Sequence, residues 1–416
     1  MKRKQPFEGI KVASFAWAAT GPLAVRTLAE HGAMVVRIES HRRPTISRLT
    51  QPYKDRVGID RSPHAAKLMT NNYGISLDLN MPKGREVARR LIKWADIVAE
   101  AFTPGTMKRW GLDYEETKKI KPDIIYFSTS MQGQTGPHAQ FQAYGLQMTS
   151  LAGFSMLTGP SDGDPVLVYD SYTDWIGPWY LVIAMIGALE RRSKTGKGMY
   201  IEQSQYEAAV TMLGPEILDY TVNNGVVRRM GNRDPYASPH GAYRCKGEDR
   251  WVAIAVFTDK EWNAFCEVMG NFSLANDHRF ATLKARKENE DALDKLVKEW
   301  TINHTAEEVM AFMQAKSVPA GVVQTTEDLF NDPQLKYRDA LVFLNHDVIG
   351  LHAYDNEPTK FSKTPPRLWR AGPCLGQDNE YIYKEILGYS DDEIADMLIE
   401  GVITTDADLP SAPTPP

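Results

Sequence analysis

Over the first 130 residues, short apolar runs alternate with amphipathic ones, and this alternation constrains the fold more than any other feature. Lys11 to Trp17 (KVASFAW) reads as a strand, Gly21-Pro22 breaks it, and Leu23 to His31 reads as a helix closed by Gly32. Ala33 to Glu39 (AMVVRIE) is a second strand and Tyr73 to Leu79 a third. Pro82 suits a first helical turn, and Val87, Leu91, Trp94 and Val98 then share one helical face. Ile97 to Phe102 and Asp123 to Ser128 continue the series. Strands separated by helices pair in parallel, so the spacing predicts an α/β fold with a Rossmann-like parallel sheet.

The remaining chain is less regular. Residues 131 to 174, rich in Gly, Pro, Gln, Ser and Asp, read as loops around one helix near Tyr144 to Ala152. A long apolar helix follows over Pro178 to Arg192, then the turn RRSKTGKG and a strand at Met199 to Gln203. The polar stretch from Asn223 to Pro239 reads as an interdomain linker. Beyond it come a strand at Trp251 to Phe257 and helical segments over 259–269 and 289–316. SDDE from Ser390 has capping-box spacing, predicting a helix to about Glu400 ended by Gly401, and the tail ADLPSAPTPP reads as disordered. A chain of 416 residues exceeds one small core, so more than one domain is expected.

Several functions are disfavoured. A net charge of −5 gives no electrostatic reason for a nucleic-acid or membrane partner. No run of about 18 apolar residues exists, and no apolar run follows the basic start MKRKQPFEG, so neither a membrane span nor a signal peptide is expected and the default is cytoplasmic. Cys245, Cys266 and Cys374 are far apart, and the nine histidines form no HExxH; no metal site is expected. The turn after the first strand, FAWAATGP, holds only Gly21 where a dinucleotide fingerprint needs closely spaced glycines. GxxxxGK[ST] and GxSxG are absent.

The most specific signal is YTDWIGPWYLVIAMIGALERRSKTGKG, starting at Tyr172. Asp174 stands just before the apolar helix, with Pro178 read as its first turn. Free amides and the macrodipole at a helix N-terminus favour an ionised carboxylate, the form that nucleophilic catalysis requires. On spacing alone, Asp174 is either such a nucleophile or simply a helix cap.

Four blocks in order decide between these readings by resemblance. Gly21-Pro22 followed by LAEHGAMVVRIE, the block ISLDLNMPKGREVARRLIKWADIVAEAFTPGTMKRWGLDYE, MQGQTGP, and the Asp174 block ending in YIEQSQYEA together resemble the family III CoA-transferases over most of the chain. The resemblance implies that Asp174 is the catalytic carboxylate, with Asp170 a distant second. It implies CoA contacts at Leu77, Phe102, Arg109 and Trp110, with Tyr144 grouped among them. A guanidinium at Arg109 suits phosphate. Two positions depart from the family pattern: Ala101 where many members have Asn, and Ala19 where some have Gln. Related racemases of 2-methylacyl-CoA carry a His where this chain has Tyr144, and a phenol replaces an imidazole poorly in proton transfer. His138 is read as a loop histidine.

The same resemblance implies a reaction. CoA passes from an acyl-CoA donor to a free carboxylic acid through an aspartyl anhydride and an aspartyl-CoA thioester, with the CoA thioester as substrate and no permanently bound cofactor. The alternatives are racemisation of a 2-methylacyl-CoA and a catalytically silent CoA-binding subunit. The implied architecture has a large Rossmann-like domain over 1–222, a smaller α+β domain over 223–335, and a segment 336–416 returning to the first. Two chains interlock as rings in a homodimer, with a paralogous partner subunit as the alternative. Phe15, Trp17, Tyr172, Trp175, Trp179 and Tyr236 lie in or near segments expected to approach the active centre; they read either as core residues or as walls for an aryl-substituted acceptor such as benzylsuccinate, with carnitine-like acids as the alternative.

Overall fold

The computed structural model describes residues 4–168 and 171–409. Asp170 and the last residues of the tail lie outside the described residues. The chain divides into two compact units, one of residues 1–154, 168–225 and 339–416, the other of 155–167 and 226–338.

The first unit is built on six parallel strands: β1 (Lys11–Ser14), β2 (Met34–Glu39), β3 (Tyr73–Ser76), β4 (Ile97–Glu100), β5 (Ile125–Ser130) and β6 (Met199–Ser204). Their order across the sheet is β3-β2-β1-β4-β5-β6. Alternate residues feed opposite faces: Val12, Val35, Ile97 and Phe127 join one core, and Ala13, Val36, Val98 and Tyr126 the other. Burial on both faces is why the strands read as continuous apolar runs. The associated helices are α1 (Thr20–Glu30), α2 (Pro63–Leu68), α3 (Pro82–Trp94), α4 (Thr106–Trp110), α5 (Tyr114–Ile120), α6 (Gly145–Leu151), α7 (Phe154–Leu157, which runs into the second unit) and α8 (Tyr172–Thr195).

The structure moves several boundaries. β1 stops at Ser14, so Phe15 to Ala19 form a loop rather than strand. Gly21 and Pro22 lie inside the first turn of α1, where proline lacks an N–H that would be unpaired in any case. β3 and β4 end at Ser76 and Glu100, which puts Leu77 and Phe102 in the loops beyond them. α3 ends at Trp94, and Val98 belongs to β4 instead. The largest correction concerns α8, which begins at Tyr172, so Asp174 sits within its first turn and Pro178 lies in its interior.

Residues 339–409 fold against the β3 side of the sheet. The β3 edge would otherwise present unpaired amides. Instead Gly74 N–H donates to Asp378 Oδ2 at 2.8 Å and Ser76 N–H to Asn379 Oδ1 at 2.8 Å. Tyr383 Oη donates to the Ser76 carbonyl at 2.9 Å. The predicted box at Ser390 forms: Ser390 Oγ accepts from Glu393 N–H at 3.2 Å, and Glu393 Oε2 accepts from Ser390 N–H at 2.7 Å. Its helix, Asp391–Ile399, buries Met397 in the core, and Gly401 follows at φ +74°.

The second unit has an antiparallel sheet in the order His240–Arg244, Trp251–Ala255, Ala320–Val322. Its core gathers Val252, Ile254, Trp262, Phe265, Val297 and Val309. The single helical segment expected over 289–316 is two helices, Glu290–Thr301 and Ala306–Ala315, because Thr305 starts a capping box with Glu308. No helix among the described residues is long and apolar enough to cross a membrane. No group of three or more His, Cys, Asp or Glu among them could hold a metal.

Candidate active site

Strands β1 and β4 are sheet neighbours although β2 and β3 lie between them in sequence, and their connections leave in opposite directions. Open α/β sheets bind ligands outside the carboxyl ends of strands at such a switch. The loop after β1 places Trp17 edge-on to Phe102 of the loop after β4, with centroids 5.5 Å apart. Phe102 is edge-on to Trp110 of α4 at 5.4 Å. The Arg43 guanidinium lies 5.3 Å from the Trp17 ring centre. Gly105, at φ +84°, turns the chain into α4, and Arg109 stands exposed there with Nη2 donating to Thr106 Oγ1 at 3.0 Å.

Thus Phe102, Arg109 and Trp110 come together within one turn and helix, joined by Trp17. Leu77 does not present its side chain: it is buried in the core, and its N–H donates to the Glu39 carbonyl at 2.7 Å. Gly21 explains how the two loops approach, since a Cβ there would lie 2.6 Å from Ala16 Cβ and 3.2 Å from Ala101 Cβ.

Asp174 sits where three helices start. Thr20, the first residue of α1, donates its hydroxyl to Asp174 Oδ1 at 3.3 Å. Pro178 has no N–H for the Asp174 carbonyl four residues back, and Thr20 Oγ1 lies 3.5 Å from that oxygen. A Cβ on Gly145, the first residue of α6, would lie 2.5 Å from Asp174 Oδ2 and 2.3 Å from Ser171 Cβ. The absent side chain is therefore the space that the carboxylate uses. Thr173 and Thr149 hydroxyls both donate to the Gly145 carbonyl, at 3.3 and 2.8 Å. From β6, Gln203 Nε2 donates to the Gly177 carbonyl at 2.7 Å. A Cβ on Gly177 would lie 2.8 Å from Thr20 Cγ2.

The loop between β1 and α1 serves both groups, reaching Phe102 through Trp17 and Asp174 through Thr20. Within it Ala18 adopts φ +57°, which L residues seldom do, with its N–H donating to Thr45 Oγ1 at 3.1 Å. Such strain persists only where surrounding contacts over-determine it. Tyr144 is exposed before α6, its N–H donating to Gln147 Oε1 at 3.2 Å. Thr20, Gly145, Gly177 and Glu100 were not legible as site residues in the sequence. The only signal for the glycines was a lone Gly at a helix start or inside an apolar helix.

Glu100 ends β4 and is buried. Its Oε2 accepts the Phe102 N–H at 2.7 Å and its Oε1 accepts the Ser128 hydroxyl. Burial pushes this carboxyl up to about 7 against both hydrogen bonds. A cleft of about 380 Å³ lies elsewhere in the first unit, lined by His41, Leu375, Asn379 and Thr404 among others and by none of the residues predicted for the site.

The sequence profile of CoA-transferase family III matches residues 7–379. The chain belongs to that family. The transferase is 29% identical to succinyl-CoA–D-citramalate CoA-transferase of Chloroflexus aurantiacus, over 96% of this chain and 98% of that protein. It is 31% identical to acetyl-CoA:oxalate CoA-transferase of Acetobacter aceti, over 91% and 96% of the respective chains. Among solved structures, the transferase resembles a CAIB/BAIF family protein from Brucella suis with a TM-score of 0.85 and 30% identity, covering 92% of this chain and all of that one. It is therefore an enzyme that transfers CoA.

Proposed function

We propose that Asp174 is the nucleophile of this CoA-transferase. The observation that supports this most is the carboxylate's niche: the space left by Gly145, closed by the Thr20 hydroxyl and served by the loop that also carries Trp17. An Asp174 oxygen attacks the donor thioester carbonyl, the C–S bond breaks, and an acyl–aspartyl anhydride and CoA thiolate result. The thiolate attacks the aspartyl carbonyl, releasing the donor acid and leaving an aspartyl-CoA thioester. The acceptor carboxylate attacks that thioester and expels the thiolate. Attack of the thiolate on the acceptor carbonyl then gives acceptor-CoA and restores Asp174. Every intermediate is an activated acyl group, so no ATP is consumed.

For the acceptor, we propose a dicarboxylic acid. Citramalate and oxalate in the relatives' names are dicarboxylic acids, and benzylsuccinate shares that skeleton. The aromatic residues behind the aryl preference are dispersed. Phe15 is core, Trp175 packs beside Leu23 and Leu68, Tyr172 meets Phe154, and Trp179 is exposed. Tyr236 belongs to the second unit. An aryl group is thus an elaboration that only the acceptor screen decides. Assembly as a homodimer, or with a paralogous subunit, is proposed on the family resemblance.

The test is chemical trapping. Enzyme incubated with succinyl-CoA or acetyl-CoA and then hydroxylamine should carry a hydroxamate on the peptide containing Asp174. Asp174→Asn should be folded and inactive, since asparagine has the same shape and keeps an oxygen for the Thr20 hydroxyl but cannot form an anhydride. An active Asp174→Asn protein, or a label on Asp170, overturns the assignment. A panel of free acids with mass-spectrometric readout tests the acceptor; turnover confined to monocarboxylates rejects the dicarboxylate reading.

A further inference from the structure

The covalent steps make no use of Glu100, yet this carboxyl group is built into the place where β1 and β4 part. It is 4% exposed, and both its oxygens are taken: Ser128, its register partner on β5, donates to one, and the Phe102 N–H donates to the other at 2.7 Å. Tyr200 of β6 lies beside Ser128. The Phe102 ring in turn stands between Trp17 and Trp110. A continuous path therefore runs from Ser128 through Glu100 to the main chain that carries the candidate nucleotide contacts.

We infer that Glu100 is a positioning residue for CoA, its ionised carboxylate tying the Phe102 main chain to β5 and so fixing the aromatic surface that meets the nucleotide. This rests on the proposed assignment of Phe102, Arg109 and Trp110 to CoA.

The groups facing Glu100 are themselves uncharged or acidic. Tyr126 comes from β5 and Tyr200 from β6, with Tyr114 of α5 stacked on Tyr200. Asp113 lies near Tyr126 and Glu202 near Tyr200. No Lys, Arg or His among the described residues contributes to its ionisation. Burial without a cation places that ionisation at about 7. A hydrogen bond to an ionised acceptor is roughly twice as strong as a neutral one. Protonation thus weakens the hold on Phe102, so CoA affinity is highest above neutrality and falls as pH drops through it.

The test measures the Kd of CoA by calorimetry between pH 6 and 8. If only the ionised form binds, the wild-type Kd rises about tenfold from pH 8 to pH 6 as the competent fraction shrinks. Glu100→Gln keeps an oxygen for the Phe102 N–H and removes the ionisation, so its Kd should lack that step. The phosphate of CoA, titrating near about 6, affects both proteins alike. Tryptophan fluorescence of the ligand-free enzyme gives a second readout, because Trp17 and Trp110 flank Phe102. It should titrate near neutrality in the wild type and not in Glu100→Gln. A flat wild-type Kd profile, or a step retained by Glu100→Gln, overturns the role of Glu100. No CoA binding at any pH overturns the nucleotide assignment and the inference with it, and the fluorescence titration then still shows whether Glu100 governs Phe102.

Discussion

One methyl group separates Gly145 from a side chain that would displace Asp174. A Cβ there would stand 2.5 Å from the carboxylate oxygen, so Gly145→Ala must push either the carboxylate or α6 aside. Misplacement of a reacting group by about 1 Å costs roughly a hundredfold in rate. Steady-state kinetics of Gly145→Ala should therefore show kcat reduced on that order, with KM for the CoA donor little changed. Arg109 should behave in the opposite way. It is exposed, its guanidinium donates to Thr106 Oγ1, and it is proposed to grip phosphate in the ground state. Arg109→Ala should raise KM for the donor roughly ten- to a hundredfold, as expected for hydrogen bonds to a charged group, while kcat holds. An unchanged KM removes Arg109 from the nucleotide site.

Among the elements, the helix Asp391–Ile399 offers a clean measurement. Its start depends on reciprocal bonds between Ser390 and Glu393, and its buried face places Met397 in the sheet core. Ser390→Ala should cost about 1 kcal/mol in urea unfolding, with activity at saturating substrate retained. This element was legible because capping is local: S-x-x-E followed by apolar spacing states the helix start outright. The parallel sheet was legible for a related reason, since strands buried on both faces are apolar throughout. What local pattern could not state was where strands end and loops begin. KVASFAW is apolar to its last residue, yet pairing stops at Ser14, Phe15 joins the core and only Trp17 reaches the candidate site at Phe102. Pro178 misled in the same way, because proline is commonest at helix starts and here lies within α8, beside the hydroxyl of Thr20. Asp174 is proposed through a resemblance, and its neighbours Thr20 and Gly145 belong to distant segments that only the fold brings together.

For the molecule as a whole, acid sensitivity should follow Glu39, at the end of β2. Burial alone would raise its carboxyl, but Arg48 and then Arg37 outweigh this and hold it at about 2. A carboxyl held below its ordinary value near 4.5 contributes stability above that pH and loses it as pH falls toward 2. Urea midpoints should therefore decline across this window. Glu39→Gln should flatten the decline and cost on the order of 3–5 kcal/mol at neutral pH, because it leaves the buried Arg37 guanidinium without a counterion and Arg48 with Asp60 alone. Arg48 also donates to the Pro373 carbonyl, so this network joins β2 to the returning segment. That return has a consequence for synthesis. β3 is complete once residue 76 is made, yet the side chains that occupy its open amides arrive at Asp378 and Asn379. For some 300 residues of translation the nascent sheet carries a bare edge able to pair with other chains. Overproduction at high temperature should therefore fill inclusion bodies with chains stalled before that edge is closed.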